Sequence, residues 1–291
     1  MTLMLKHDTE TMEDFSLVKN FLSNTREESG QGEKSATIWL NEAIIYQPIT
    51  DQILLPDKAS CLCLEAFMRM SNLNYRIISK KNVEYMSPSG KLPLLNMDVF
   101  LLSEFHTIVQ FAEEKGQSLS KNLQAWERAE LKSYISLVNM VLVTAENYIT
   151  WVDQENFNKV TRIKHGFVHP WPLNVLLIRQ KRQTVLNNLS ALGWQDKTME
   201  DVCGEVYSCC EAFSERLDED YFFENRPTEL DAVLFAHVYT IVTTDLPNNQ
   251  LSCVIRSFPK IIKHCNRIID KFFPEFNSCK FQVDINDDLL T

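Results

Sequence analysis

Two hydrophobic rhythms divide this chain. Between Ile53 and Lys115, short apolar runs alternate with helical stripes. Ile53–Leu55 predicts a strand, and a helix follows from Asp57 to about Met70, with Ala59, Leu62, Ala66, Phe67 and Met70 on one face. Tyr75–Ile78 predicts a second strand. The Ser87-Pro-Ser-Gly90 turn leads into strands at Leu92–Leu95 and Val99–Leu102, joined at Asn96-Met-Asp98, and then into a helix from about Ser103 to Lys115. The order is βαβ followed by ββα.

Beyond Gly116 the period of two disappears. Leu131, Ile135, Val138, Leu142, Ala145, Ile149 and Val152 recur at spacings of four and three, which predicts one long helix buried along a wide face. Further helices are expected at about Asn174–Leu192, Thr198–Leu217, Thr228–Thr244 and Ser257–Phe273, punctuated by Pro170-Trp-Pro172, Gly193-Trp194 and Pro227. The expected organisation is a polar tail over 1–35, a thioredoxin-like α+β domain over 36–117, an all-helical domain over 118–275 and a flexible acidic tail over 276–291.

Pro93 stands inside an apolar strand, where a residue without an N–H cannot serve a sheet ladder. A cis Leu92–Pro93 bond that turns the chain into the strand accounts for it, because cis costs only about 0.5–1 kcal/mol at X-Pro. A thioredoxin-type domain places a cis proline there. The other strong local signal is Pro227-Thr-Glu-Leu-Asp231, in which Thr228 can cap the following helix while Asp231 returns a carboxylate to the cap's own N–H. That role is structural.

Composition narrows the partners. A net charge of −10, with no basic stripe interleaved with aromatics, removes the attraction on which nucleic-acid binding rests. No apolar run reaches the roughly 18–20 residues of a membrane span. The acidic N-terminal stretch, with Asp8, Glu10, Glu13 and Asp14, argues against a cleaved leader. Eight cysteines, most inside helical stretches of a long chain, fit a reducing compartment.

Six segments carry a resemblance: Glu84-Tyr-Met-Ser-Pro-Ser-Gly-Lys91 with Pro93; Thr144-Ala-Glu146 with Trp151; Pro170-Trp-Pro-Leu-Asn174; Ala191-Leu-Gly-Trp194; Tyr221-Phe-Phe223; and Pro227-Thr-Glu-Leu-Asp-Ala232. In this order, over about residues 37–272, they resemble the metaxin family within the glutathione S-transferase-like superfamily. The resemblance implies a non-enzymatic subunit of the sorting and assembly machinery, on the cytosolic face of the mitochondrial outer membrane. It would serve insertion of β-barrel proteins and mitochondrial organisation or transport. It also implies peripheral attachment through a membrane-anchored metaxin partner and contact with other assembly subunits, with no cofactor and no metal. The acidic tails argue against attachment by lipid electrostatics.

The alternative is a divergent glutathione-binding transferase or a thiol oxidoreductase. Transferase chemistry needs a hydroxyl or thiol between the first strand and the first helix. In Leu55-Pro-Asp-Lys-Ala-Ser-Cys-Leu-Cys63 the donors by type are Ser60, Cys61 and Cys63, all within the helix pattern. Active enzymes of that fold follow the fourth strand with an acidic or amide residue and then serine; here the order is Ser103-Glu104. A weak ligand groove would involve Leu92, Ser103 and Glu104, with Glu104 satisfying the helix amides itself, or Ser103 acting as an ordinary cap. Cys61-x-Cys63 and Cys209-Cys210 lack redox or metal spacing, and His165 and His169 are expected in a loop. His237 is expected as a hydrogen-bonded core histidine, and Arg179-Gln-Lys-Arg182 as a solvated face.

Overall fold

The computed structural model describes residues 42–217, 220–223, 226–279 and 281; the expected tail over 1–35 lies outside them. A four-stranded sheet is ordered β2-β1-β3-β4, from strands β1 (Ala43–Pro48), β2 (Tyr75–Lys80), β3 (Leu94–Met97) and β4 (Phe100–Ser103). β1 pairs in parallel with β2 and antiparallel with β3, which pairs antiparallel with β4. A parallel β1–β2 pair requires a crossover, and helix α1 (Leu55–Met70) supplies it. Helix α2 (Phe105–Glu114) follows β4.

The predicted first strand is misplaced. Ile53 lies in the turn before α1, and Leu55 already belongs to the helix, which Pro56 and Asp57 start in its first turn. The first strand among the described residues is Ala43–Pro48, whose Ala43, Ile45 and Tyr46 are buried. An apolar triplet ahead of proline reads equally as a short strand or a helix start, and only pairing with β2 and β3 decides it.

Among the described residues eight further helices follow: α3 (Ala125–Trp151), α4 (Gln154–Asn156), α5 (Arg162–Gly166), α6 (Leu173–Ala191), α7 (Met199–Arg216), α8 (Glu229–Thr243), α9 (Gln250–Arg256) and α10 (Pro259–Phe272). A π turn, Phe157–Thr161, joins α4 to α5, so the expected loop around His165 is helical up to Gly166. Gly166 is there for close packing: a Cβ would stand 3.0 Å from Ile178 Cδ1. The short α9 carries too few turns for a periodic signal, and the expected helix at Ser257 starts instead at Pro259.

α8 is the central helix. Every residue from Glu229 to Val242 is buried, and it packs against α1 and α3. α1 is likewise buried on more than the predicted face, because Cys63, Leu64 and Met68 are enclosed along with Phe67. The sheet-bearing and helical parts thus share one hydrophobic core. That core extends beyond the boundary expected at residue 275. Phe276 stacks on Tyr239 and Phe273, each at 5.1 Å between ring centroids, and Phe281 is buried with its N–H and C=O paired to the Asn266 side chain.

Among the described residues, no single helix is long and apolar enough to cross a membrane. Ala125–Trp151 and Gln154–Gly166 meet that requirement only together, bent by 56°.

Candidate functional site

β1 ends at Pro48 and α1 begins at Leu55, so the place where a fold of this kind keeps a thiol-activating donor is the turn Ile49–Leu54. Ser60, Cys61 and Cys63 lie inside α1, with both cysteines buried. Burial pushes both thiols far above their ordinary range, Cys61 further by the charges of Asp57 and Glu65, Cys63 by that of Glu146. Burial thus disfavours the reactive thiolate form of both.

The turn itself is committed to structure. Gln52 Nε2 donates to Asn82 Oδ1 at 2.8 Å, and the Asn82 N–H returns a bond to Gln52 Oε1 at 2.9 Å, which fixes Asn82 in its left-handed conformation (φ 56°). Lys164 Nζ donates to the carbonyls of Thr50 and Ile53 at 3.3 Å, pinning the turn to α5. Thr50 carries the one hydroxyl in the turn and no tyrosine or cysteine is present.

Across the turn from this segment, the Leu92–Pro93 peptide is cis, and the Pro93 carbonyl accepts the Glu104 N–H at 3.1 Å. Leu92 packs into the small cluster of Tyr46, Val83 and Leu94 under the sheet. Ser103 is the last residue of β4, with its Oγ 3.0 Å from Ser89 Oγ; it does not cap α2. Glu104 is the N-cap residue, at φ 68°, but its side chain makes no cap bond. Its carboxylate turns instead to Lys91 Nζ at 3.1 Å. Both expectations for this pair are therefore corrected. The carboxylate thus points to Lys91 and not to the helix amides, although an exposed pair of this kind contributes only about 0–1 kcal/mol. A carboxylate at this position repels the carboxylates of glutathione, and the helix start is followed by Phe105, packed edge-on against Phe67 at 5.9 Å.

A charged cluster joins the sheet-bearing part to α6. Lys181 Nζ holds Glu84 Oε2 at 2.7 Å, and Arg182 donates to the Trp151 carbonyl while its guanidinium lies 4.0 Å over the Phe157 ring. The Arg179–Arg182 stretch is thus only partly the solvated face expected of it. Burial works against the Lys181 charge, but Glu84, with Asp57 and Tyr85, outweighs it and raises the lysine pKa. Burial lifts Asp57 to about 6 against the pull of Lys181, and lowers His165. His165 packs against Trp151 and His169 against Tyr85, so the two histidines serve different neighbours. Among the described residues, no three His, Cys, Asp or Glu side chains converge to hold a metal ion.

Two buried pairs, only half legible in the sequence, hold α8. Asp231 Oδ2 accepts the Thr228 N–H at 2.7 Å and the Thr228 hydroxyl at 2.8 Å, so the carboxylate carries the stronger half of the capping box. Its other oxygen lies 2.8 Å from His264 Nε2 and accepts the Phe222 N–H at 3.3 Å. His237 Nδ1 lies 2.7 Å from Glu146 Oε1, linking α8 to α3. His264 and Glu146 were not foreseen as partners because long-range pairing leaves no local spacing. Next door, Glu229 Oε1 accepts the N–H groups of Leu119 and Ser120, tying the connector before α3 to the start of α8.

Comparison with known proteins places this geometry. Residues 61–182 match the family model described as an outer mitochondrial membrane transport complex protein, and residues 206–268 match that of a glutathione S-transferase C-terminal domain. Human Metaxin-2 is 42% identical over 243 residues, covering 83% of this chain and 92% of its own length. The Metaxin-2 homolog of Caenorhabditis elegans is 34% identical, covering 72% and 91%, and mouse Metaxin-1 is 26% identical, covering 68% and 65%. Among solved structures, glutathione S-transferase-I bound with lactoylglutathione superposes with a TM-score of 0.53 at 12% identity, over 83% of this chain and all of that one. Glutathione S-transferase III in apo form gives 0.51 at 11%, over 83% and 98%. These structures establish a glutathione S-transferase-like fold and nothing about chemistry.

Proposed function

The chain belongs to the metaxin family, and from that premise we propose that it is a non-enzymatic subunit of the outer-membrane sorting and assembly machinery. It serves insertion of β-barrel proteins and mitochondrial organisation or transport. Attachment is peripheral, on the cytosolic face, through a membrane-anchored metaxin partner. The class of outer mitochondrial membrane transport complex protein supports this reading.

The observation that carries it is the state of the old ligand groove. The turn before α1 is spent on Asn82 and Lys164, the thiols behind it are buried, and Ser103 and Glu104 are engaged by Ser89 and Lys91. A scaffold that kept its fold while filling its site with internal bonds is suited to presenting surfaces. Titration with glutathione, with a thiol-transfer assay alongside, separates the two readings. The expected result is no saturable heat at millimolar glutathione and no turnover. Saturable binding with turnover that is lost in Thr50→Ala or Cys61→Ser would establish the transferase instead.

A further inference from the structure

In a chain of net charge −10, the stretch 156–195 contains Lys159, Arg162, Lys164, Arg179, Lys181 and Arg182 and neither Asp nor Glu. It folds as a helical hairpin whose arms are α5, with the helical residues before it, and α6, joined through Pro170-Trp171-Pro172. Large apolar side chains stand exposed around its tip: Trp171 at 80%, Leu176 at 63%, Ile163 at 62% and Phe167 at 56%. A groove of about 400 Å³ runs between the arms, lined by Arg162, Ile163, Phe167, Val175 and Ile178 among others. Exposed apolar groups gathered in one place mark a surface that meets something other than water.

The arrangement favours one occupant. Ile163 and Phe167 flank the groove, whereas Leu176 lies two residues from Ile178 and so about 160° around α6 from it. Apolar side chains therefore leave the hairpin on both sides of its tip. A folded protein covers one face of such an element; an apolar layer surrounds it. The cations fit the same occupant. Lys181 and Lys159 are paired with Glu84 and Glu155, but Arg162 and Arg179 are exposed and form no ion pair among the described residues. Screening over about 8 Å at physiological salt makes the local charge decisive, not the net charge of the chain.

We infer that the hairpin tip is a membrane-contact element that enters the interfacial layer of an anionic phospholipid bilayer. Trp171, Phe167, Ile163 and Leu176 sit at the headgroup and upper acyl level, and Arg162 and Arg179 meet lipid phosphates. The inference rests on the reading that this chain works at the outer membrane. It revises one expectation: the acidic tails do not exclude a basic, apolar contact elsewhere. Such a contact would orient a subunit whose attachment is made by its partner, since one interfacial element gives only reversible binding.

The test uses the purified full chain without any metaxin partner, mixed with vesicles of phosphatidylcholine alone or with added phosphatidylinositol. Binding is read by sedimentation, and insertion by quenching of tryptophan fluorescence with lipids brominated on the acyl chain. The expected result is binding to anionic vesicles that weakens with salt, and quenching that is lost in Trp171→Phe. Arg162→Gln with Arg179→Gln should weaken binding about 25-fold, at about five-fold per basic residue near an anionic surface. Phe167→Ser with Trp171→Ser should lower it at least as far with an unchanged thermal midpoint. The inference is overturned by absence of binding, or by binding or quenching indifferent to these substitutions. Because no partner is in the mixture, failure here leaves the adaptor reading standing.

Discussion

Replacing Asp231 by Ala is expected to lower stability by about 3–5 kcal/mol, because it removes a helix cap and leaves buried polar groups without a partner. The carboxylate serves four groups: the Thr228 N–H and hydroxyl, the Phe222 N–H and His264. Loss of the cap alone costs about 0.5–2 kcal/mol. The rest comes from leaving a ring nitrogen of His264, wholly buried, without a partner. The effect should spread, because α8 packs against both α1 and α3. At about 2–4 °C per kcal/mol for a fold of this size, the midpoint of thermal unfolding should fall by about 10 °C. Thr228→Ala should lose much less, since Asp231 keeps the backbone N–H, and a Thr228→Ala loss as large as that of Asp231→Ala would refute this division of labour.

The second large effect is expected at Glu146. Its side chain is fully buried; one oxygen holds His237 and the other has no hydrogen-bond partner among the described residues. Glu146→Ala takes away the carboxylate that His237 meets in the core, opens a cavity, and should cost about 3–5 kcal/mol. Glu146→Gln is more informative. Burial raises the Glu146 pKa above its ordinary 4.5, with His237 opposing. The folded state therefore holds this proton more tightly than the unfolded chain. Its contribution is full below about pH 4.5 and is lost as pH rises through the raised pKa. Denaturant unfolding at several pH values should show the advantage of Glu146→Gln over the parent growing with pH. An advantage that shrinks as pH rises would mean that His237 dominates and the carboxylate is held low.

The sequence reading succeeded where a local rule sufficed. The proline-entered strand, the ββα unit, the presence of one long helix ending near Val152 and the Thr-x-x-Asp start all follow from residues close together in the chain. It failed where the deciding contact is remote. Ala43–Pro48 is a strand because β2 and β3 flank it, and Ile53–Leu55 is not one because Pro56 opens a helix. The stretch around His165 reads as a loop, but it is helical up to Gly166, whose missing side chain lets Ile178 approach α5. At the groove, the residue types of Ser103 and Glu104 were visible and their roles were not. The outcome turned on Ser89 and Lys91, which a spacing rule does not bring together. The basic, acid-free stretch 156–195 was present in the sequence throughout. Its meaning needed the exposure of Trp171, Phe167 and Leu176, which periodicity alone does not supply.

The most direct measurement is affinity purification of this chain from mitochondrial outer membranes, followed by alkaline carbonate extraction of the same membranes. The expected result is recovery with a membrane-anchored metaxin partner, and release of this chain into the supernatant while that partner stays in the pellet. Purification without any outer-membrane partner, or retention of this chain in the pellet after the partner is removed, would contradict a peripheral subunit held by its metaxin partner.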